Sequence, residues 1–153
     1  MRIIVAAVGR TKAGDPVRTL AEDYARRLRW PTEFREVEER RKLPTARRVE
    51  REGELLLAQV PDGAIVVALD ERGKALTSAA FADKLRTWQE RGAGTLALLI
   101  GGADGHGEAV RRRAELVLSL GPMTWPHLLA RALIAEQLYR AQSILDGHPY
   151  HRA

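Results

Sequence analysis

Apolar residues fall into short dense runs separated by longer, charge-rich stretches. The run Ile3-Ile4-Val5-Ala6-Ala7-Val8 is closed by Gly9, and residues 64–69 (AIVVAL) and 95–100 (TLALLI) repeat the pattern. Runs of this length, apolar at every position, predict strands buried on both faces. Two weaker strands are expected: residues 32–39, where only Phe34 and Val37 stand among charges, and residues 115–120. Helix signals fill the intervals. Asp15-Pro16 opens a helix reaching about residue 28, before Pro31, and Pro44-Thr45 opens another that ends before Pro61. Thr77-Ser78 caps a third through about residue 89, broken at Gly92-Ala93-Gly94, and residues 108–113 form a short fourth. Pro126 starts a long fifth to about residue 145, with Gly147 as its stop. Residues 70–74 read as a turn. Strands alternating with helices predict one α/β domain over residues 1–153, a mostly parallel sheet with helices on both faces.

Composition narrows the function classes. The chain has 153 residues and no cysteine, so disulfides, thiol nucleophiles and Cys-based metal sites are excluded. No stretch approaches the ~20 apolar residues of a membrane span, and residues 1–15 read as a strand and turn rather than a signal peptide; a cytoplasmic protein is expected. The formal charge is +5, and only four of the 25 basic residues are lysine. Such a balance suits a polyanionic partner; a genome rich in G and C would raise arginine equally, and composition does not separate the two.

Ligands of open α/β sheets bind beyond the carboxyl ends of strands. Three such ends stand out here: Leu69-Asp70, Gly101-Gly102, and the run from Gly121 to Pro126. Glycine lets backbone approach a ligand closely. Residues 101–107 (GGADGHG) match neither a P-loop nor a dinucleotide fingerprint, and read alone they are more simply a turn. His148 and His151, in the tail, are better read as solvated or RNA-contacting than as metal ligands, and no metal site is expected.

The last third of the chain is more specific. It carries Ile100-Gly101-Gly102 with Gly105, then Met123-Thr124 and Pro126-His127, then Glu136-Gln137 with Tyr139-Arg140-Ala141, and ends on Pro149-Tyr150-His151. In order, spacing and position this set resembles the SPOUT methyltransferases, specifically the family that methylates N3 of a pseudouridine in large-subunit (23S) ribosomal RNA. The opening VAAVGRTK and the central VVALDERGK fit as well, and residues 35–61 match loosely. The resemblance implies an α/β fold whose C-terminal part forms a trefoil knot, a homodimer with the long last helix at its interface, and S-adenosylmethionine as methyl donor. By position the cofactor pocket would comprise Leu69, Gly101, Gly102, Gly121, Pro122, Met123, Thr124, Trp125 and Pro126. A branched side chain at Gly102 is expected to block cofactor entry.

Methylating an imide nitrogen requires loss of its proton, for which His127, Glu136, Tyr150 and His151 are the candidates by chemistry; the sequence does not rank them. Arg140, Tyr150, His151 and Arg152 could stack on a base and grip phosphate. Glu136 and Arg140, four apart on one helix, would pair with each other. The apolar residues of that helix spread around it, which suits a central core helix and a dimer face equally. Since the chain carries no separate RNA-binding domain, an assembled ribosome is the expected substrate, with Arg10, Arg18, Arg26 and Arg27 as a phosphate-facing set. The alternatives are a SPOUT enzyme acting on tRNA or on a ribose 2′-hydroxyl, and a non-catalytic RNA-binding assembly protein.

Overall fold

A computed structural model describes residues 1–152. Five strands and five helices alternate: β1 (Arg2–Val8), α1 (Pro16–Arg27), β2 (Thr32–Val37), α2 (Thr45–Leu57), β3 (Ile65–Ala75), α3 (Ser78–Glu90), β4 (Thr95–Ile100), α4 (Glu108–Arg113), β5 (Leu116–Ser119) and α5 (His127–Leu145). The strands form one sheet in the order β2-β1-β4-β3-β5, and every neighbouring pair is parallel. All five strands therefore deliver their following loops to the same edge.

Alternation along each strand divides the core into two layers. Ile3, Val5, Val67, Leu96, Leu98 and Ile100 point to one face, where Phe81, Leu85 and Trp88 of α3 and Ile134 and Leu138 of α5 cover them. Ile4, Ala6, Val66, Ala68, Ala97 and Leu99 point to the other, against Leu56 of α2 and Val110 of α4. With both faces covered, neither can tolerate a polar side chain, which accounts for the unbroken apolar runs. Each large side chain so buried contributes roughly 1.5–3 kcal/mol.

Helix starts follow local chemistry. The Asp15 carboxylate accepts from the Val17 amide at 2.9 Å and the Arg18 amide at 3.4 Å, with Pro16 at the first helical position. Thr77 caps α3 by accepting from the Ala80 amide at 3.0 Å. Such caps are worth about 1 kcal/mol each.

The expected turn at residues 70–74 is instead an excursion inside a strand. β3 continues to Ala75, and its register against β5 jumps so that both Leu69 and Lys74 lie opposite Leu118. The intervening residues bulge out at the sheet's carboxyl edge. Gly73 permits the return, because a Cβ there would stand 2.6 Å from the Val117 carbonyl oxygen. A strand interrupted by three charged residues and a glycine has no period-2 signature, so sequence pattern alone reads it as a turn.

Candidate active site

The carboxyl ends of β4, β3 and β5 converge on a cavity of about 730 Å³, within the range of small-molecule sites. Its walls come from Leu69 to Arg72 on the β3 excursion, Ile100 to Gly105 after β4, and Leu118 to His127 after β5, with Ala130 behind. Of the nine residues expected to form the pocket, eight line this cavity; Pro122 does not and is exposed. Asp70, Glu71 and Asp104, which are not among those nine, also line it. Their signal was position: each lies on or within four residues of an apolar strand end.

Each loop is held from behind. The Gly105 amide donates to the Gly102 carbonyl at 3.1 Å, closing residues 102–105 into a tight turn. A Cβ on Gly101 would stand 3.0 Å from the Gly105 backbone, so a side chain there would force the turn to shift. The expectation for Gly102 needs correcting. Its Cβ direction meets the Glu52 carboxylate and Val8 at 3.2 Å, so a side chain at this position would press the loop off α2 and β1 rather than fill the cavity. Behind the turn His106 is 4 % exposed and its Nε2 lies 3.1 Å from the Leu99 carbonyl oxygen. Burial pushes its pKa below the ordinary histidine value, which keeps the ring neutral. The β3 excursion is fixed by Asp70, whose carboxylate accepts from the Arg72 amide at 2.9 Å and from Arg111 at 3.1 Å. Thr124 Oγ1 donates to Glu71 at 3.3 Å and ties the third loop to the first. Gly121, at φ 113°, turns the chain out of β5 in a conformation reserved for glycine. Beyond it Met123 is 71 % and Trp125 42 % exposed.

The four candidate proton acceptors separate into two groups. His127 lines the cavity at the start of α5, half-buried, and its pKa is lowered by burial and by nearby Arg131. Arg131 is itself buried, pairs with Glu36 and donates to the carbonyl oxygens of Val8 and Gly9 at 3.2 and 2.9 Å. The other three lie along the far half of α5 and the tail. Tyr150 Oη donates to Glu136 Oε1 at 3.1 Å, and Arg140 Nε donates to the same oxygen at 3.0 Å. Arg140 Nη1 is 3.2 Å from His151 Nδ1, and its guanidinium lies 4.9 Å from the Tyr150 ring centre. Tyr150 also stacks edge-on against Tyr139 at 4.7 Å, and its hydroxyl is 3.4 Å from that of Tyr24. Burial, then Tyr24 and Glu136, raise its phenol pKa, so Tyr150 is a donor rather than a base. Arg152, which follows His151 in the chain, is exposed. His127 and Glu136 are nine positions apart along the helix, about 14 Å at 1.5 Å per residue. Within one chain the cavity and the tail cluster are therefore separate.

Among the described residues, no group of three or more His, Asp or Glu side chains could hold a metal ion, and no helix is long and apolar enough to cross a membrane.

Comparison with known proteins identifies the architecture around this cavity. A family model described as "Predicted SPOUT methyltransferase" matches residues 1–151. The chain belongs to the SPOUT methyltransferase family. It is 59 % identical over 152 residues to the ribosomal RNA large subunit methyltransferase H of Paramagnetospirillum magneticum, covering 99 % of each chain. It is 56 % identical over 153 residues to the protein of the same name from Rhodospirillum centenum, covering all of both. Among solved structures, a probable methylase family protein from Haemophilus influenzae Rd KW20 superposes with a TM-score of 0.60 at 12 % identity, over 95 % of this SPOUT chain and 66 % of the other. That likeness concerns the fold alone.

Proposed function

We propose that the chain is an S-adenosylmethionine-dependent methyltransferase acting on N3 of a pseudouridine in large-subunit (23S) ribosomal RNA, on the assembled ribosome in the cytoplasm. The observation that carries the reading is the cavity where three strand-end loops meet. The names of its full-length relatives supply the RNA class. The residues present fit the cofactor: backbone of residues 101–105 and 121–126 offers donors and acceptors to an adenine ring, and Leu69, Leu118 and Leu120 offer apolar surface. Asp70, Glu71 and Asp104 supply negative charge suited to a cationic sulfonium and an ammonium group. Bound there, S-adenosylmethionine supplies an activated methyl group for in-line transfer, and the cavity's contribution is alignment.

His127 is the acceptor best suited to the imide proton, being neutral at pH 7 and on the cavity wall. Glu136 is occupied by Arg140 and Tyr150. That leaves Arg140, Tyr150, His151 and Arg152 to grip the substrate, with aromatic and arginine planes for a flipped base and its phosphates. The separation of cavity and tail favours a homodimer. Two α5 helices packed antiparallel would bring the tail of one copy toward the cavity of the other. The partly exposed Leu128, Leu129, Leu133 and Ile144 on α5, and exposed Leu20 on α1, supply apolar surface for that contact. The trefoil knot of the family belongs to the same reading, formed by the segment from β5 through α5.

The test is methylation of ribosomal particles from a strain lacking the gene, with nucleoside mass spectrometry and cofactor calorimetry. Methylpseudouridine with the methyl on the base and saturable cofactor binding are expected. A ribose methyl, or absence of cofactor binding, overturns the reading. Mixing Gly101→Val with Tyr150→Ala chains, at cofactor and particle concentrations where each is inactive alone, should restore about a quarter of wild-type activity if sites are shared between copies, on the order expected for random pairing.

A further inference from the structure

Two loops at the same sheet edge take no part in the cavity. Residues 9–15 follow β1 and residues 38–44 follow β2, and the parallel pairing of those strands sets the loops side by side. Their charges are sorted by depth. The Glu36 side chain is 20 % exposed, accepts from the Thr11 amide and hydroxyl at 2.9 and 2.7 Å, and pairs with Arg131. Glu39 is 8 % exposed at the side chain, lies under Arg41 at 2.9 Å and Arg51 at 3.2 Å, and its carboxyl is pushed down to about 2 by Arg41. Glu38 lies between Arg10 at 3.5 Å and Arg40 at 3.3 Å. That carboxylate thereby joins the two loops into one surface. Asp15 is turned inward to cap α1.

The cations make up the outer layer. Arg10, Arg41 and Arg40 are 57, 64 and 81 % exposed at their side chains. Lys12 and Lys42 are exposed, and neither has a carboxylate within ion-pairing distance among the described residues. No large apolar side chain is exposed on either loop, since Leu20, Met123 and Trp125 lie elsewhere. The ledge adjoins the cavity: a Cβ on Gly9 would stand 3.7 Å from His127 Nε2. Of the four arginines expected to face phosphate, Arg10 lies on these loops; Arg18, on α1, pairs with Glu22 and donates to the Thr11 carbonyl oxygen at 3.3 Å, bordering the ledge, and Arg26 and Arg27 pair with Asp23 farther along that helix.

We propose that Arg10, Lys12, Arg40 and Lys42 form a phosphate-binding ledge for the RNA backbone flanking the base that enters the cavity. The inference rests on the RNA-methyltransferase reading and names the surface that holds its substrate. Long cations on loops with no apolar centre suit a phosphodiester backbone, whereas a protein partner would call for an apolar core ringed by polar groups. Because the ledge touches phosphate and not the reacting base, it acts on substrate affinity and leaves the chemical step alone.

The test compares the triple variant Lys12→Gln, Arg40→Gln, Lys42→Gln with a control, Lys84→Gln, Arg86→Gln, Arg112→Gln, which removes the same charge from α3 and α4. Binding to purified ribosomal particles is measured across a salt series, alongside kinetics and cofactor calorimetry. The ledge variant should bind particles on the order of 10–100-fold more weakly near 0.1 M salt. Its slope of log affinity against log salt should fall by about 2, at roughly 0.7–0.9 per phosphate contact. KM for particles rises, while kcat at saturation and cofactor affinity stay at wild-type values. An unchanged affinity, a weakened affinity with an unchanged salt slope, or an equal loss in the control overturns the ledge. Particle binding needs no turnover, so a wild-type protein that binds particles but neither binds cofactor nor methylates would sink the functional reading while leaving the ledge to be judged by its salt slope.

Discussion

The two ends of α5 solve different problems. At its start, the cavity is shaped chiefly by backbone: glycines at 101, 102, 105 and 121 and a strand excursion set loops around a space, and one ionisable ring, His127, stands on the wall. At its far end the arrangement is all side chain, with Glu136, Arg140, Tyr150, Tyr139 and His151 interlocked by hydrogen bonds and ring contacts. A backbone-built site tolerates little change of volume but asks little of side-chain identity. A side-chain network has the opposite sensitivity. Under the proposed function, the contrast would correspond to a division between holding a flat cofactor and gripping a polyanionic substrate.

That division can be broken in four ways. The largest effect is expected at His127. Replacing it by Gln should lower kcat by about 100-fold or more, with cofactor affinity unchanged by calorimetry; near-normal turnover would move the proton acceptor to the tail. The wild-type rate should be flat through neutral pH and fall on acidification, because burial and Arg131 hold the His127 pKa below the ordinary 6.5 and only the neutral ring accepts a proton. Next is Gly101→Val, which drives a side chain into the Gly105 backbone. At roughly 1–3 kcal/mol of strain, cofactor affinity should drop about 5–150-fold. A variant that binds cofactor normally would show the glycine turn to be incidental. Smaller again is Tyr150→Phe, which removes one hydroxyl from Glu136 and Tyr24. A loss of about 2–10-fold in kcat/KM for particles is expected, and any weakening of cofactor binding would join the two ends functionally.

The smallest effect concerns stability at His106. Its folded pKa lies below the unfolded value of 6.5, so the unfolded chain binds more protons as the pH falls through that value. Wild-type stability should therefore decline below about pH 6.5, and His106→Leu should flatten that part of the profile. Melting curves from pH 7.5 to 5 decide it, and an identical slope in both proteins would mean the ring is not protonated only on unfolding.

Much of this was legible in the chain. The apolar runs of β1, β3 and β4 follow from burial on both faces, and the starts of α1 and α3 from side chains that satisfy their first amides within a few residues. Such local causes leave local marks. The weak β2 was also legible, although it ends at Val37, two residues short of expectation, because the following glutamates turn aside to Arg10, Arg40 and Arg41. The three strand ends that meet at the cavity were identified for the same reason: in a parallel sheet, chain direction alone assigns them to one edge.

Only the tertiary structure decided the rest. The excursion at residues 70–73 exists because β5 re-pairs with β3 beyond it. The direction of the Gly102 Cβ depends on α2, about 50 residues earlier in the chain. The separation of His127 from the tail cluster, and the sorting of loop carboxylates inward and cations outward, likewise depend on partners distant in sequence. A single chain records which residues have periodic or capping neighbours; it does not record which distant atoms will share a surface once the sheet has formed.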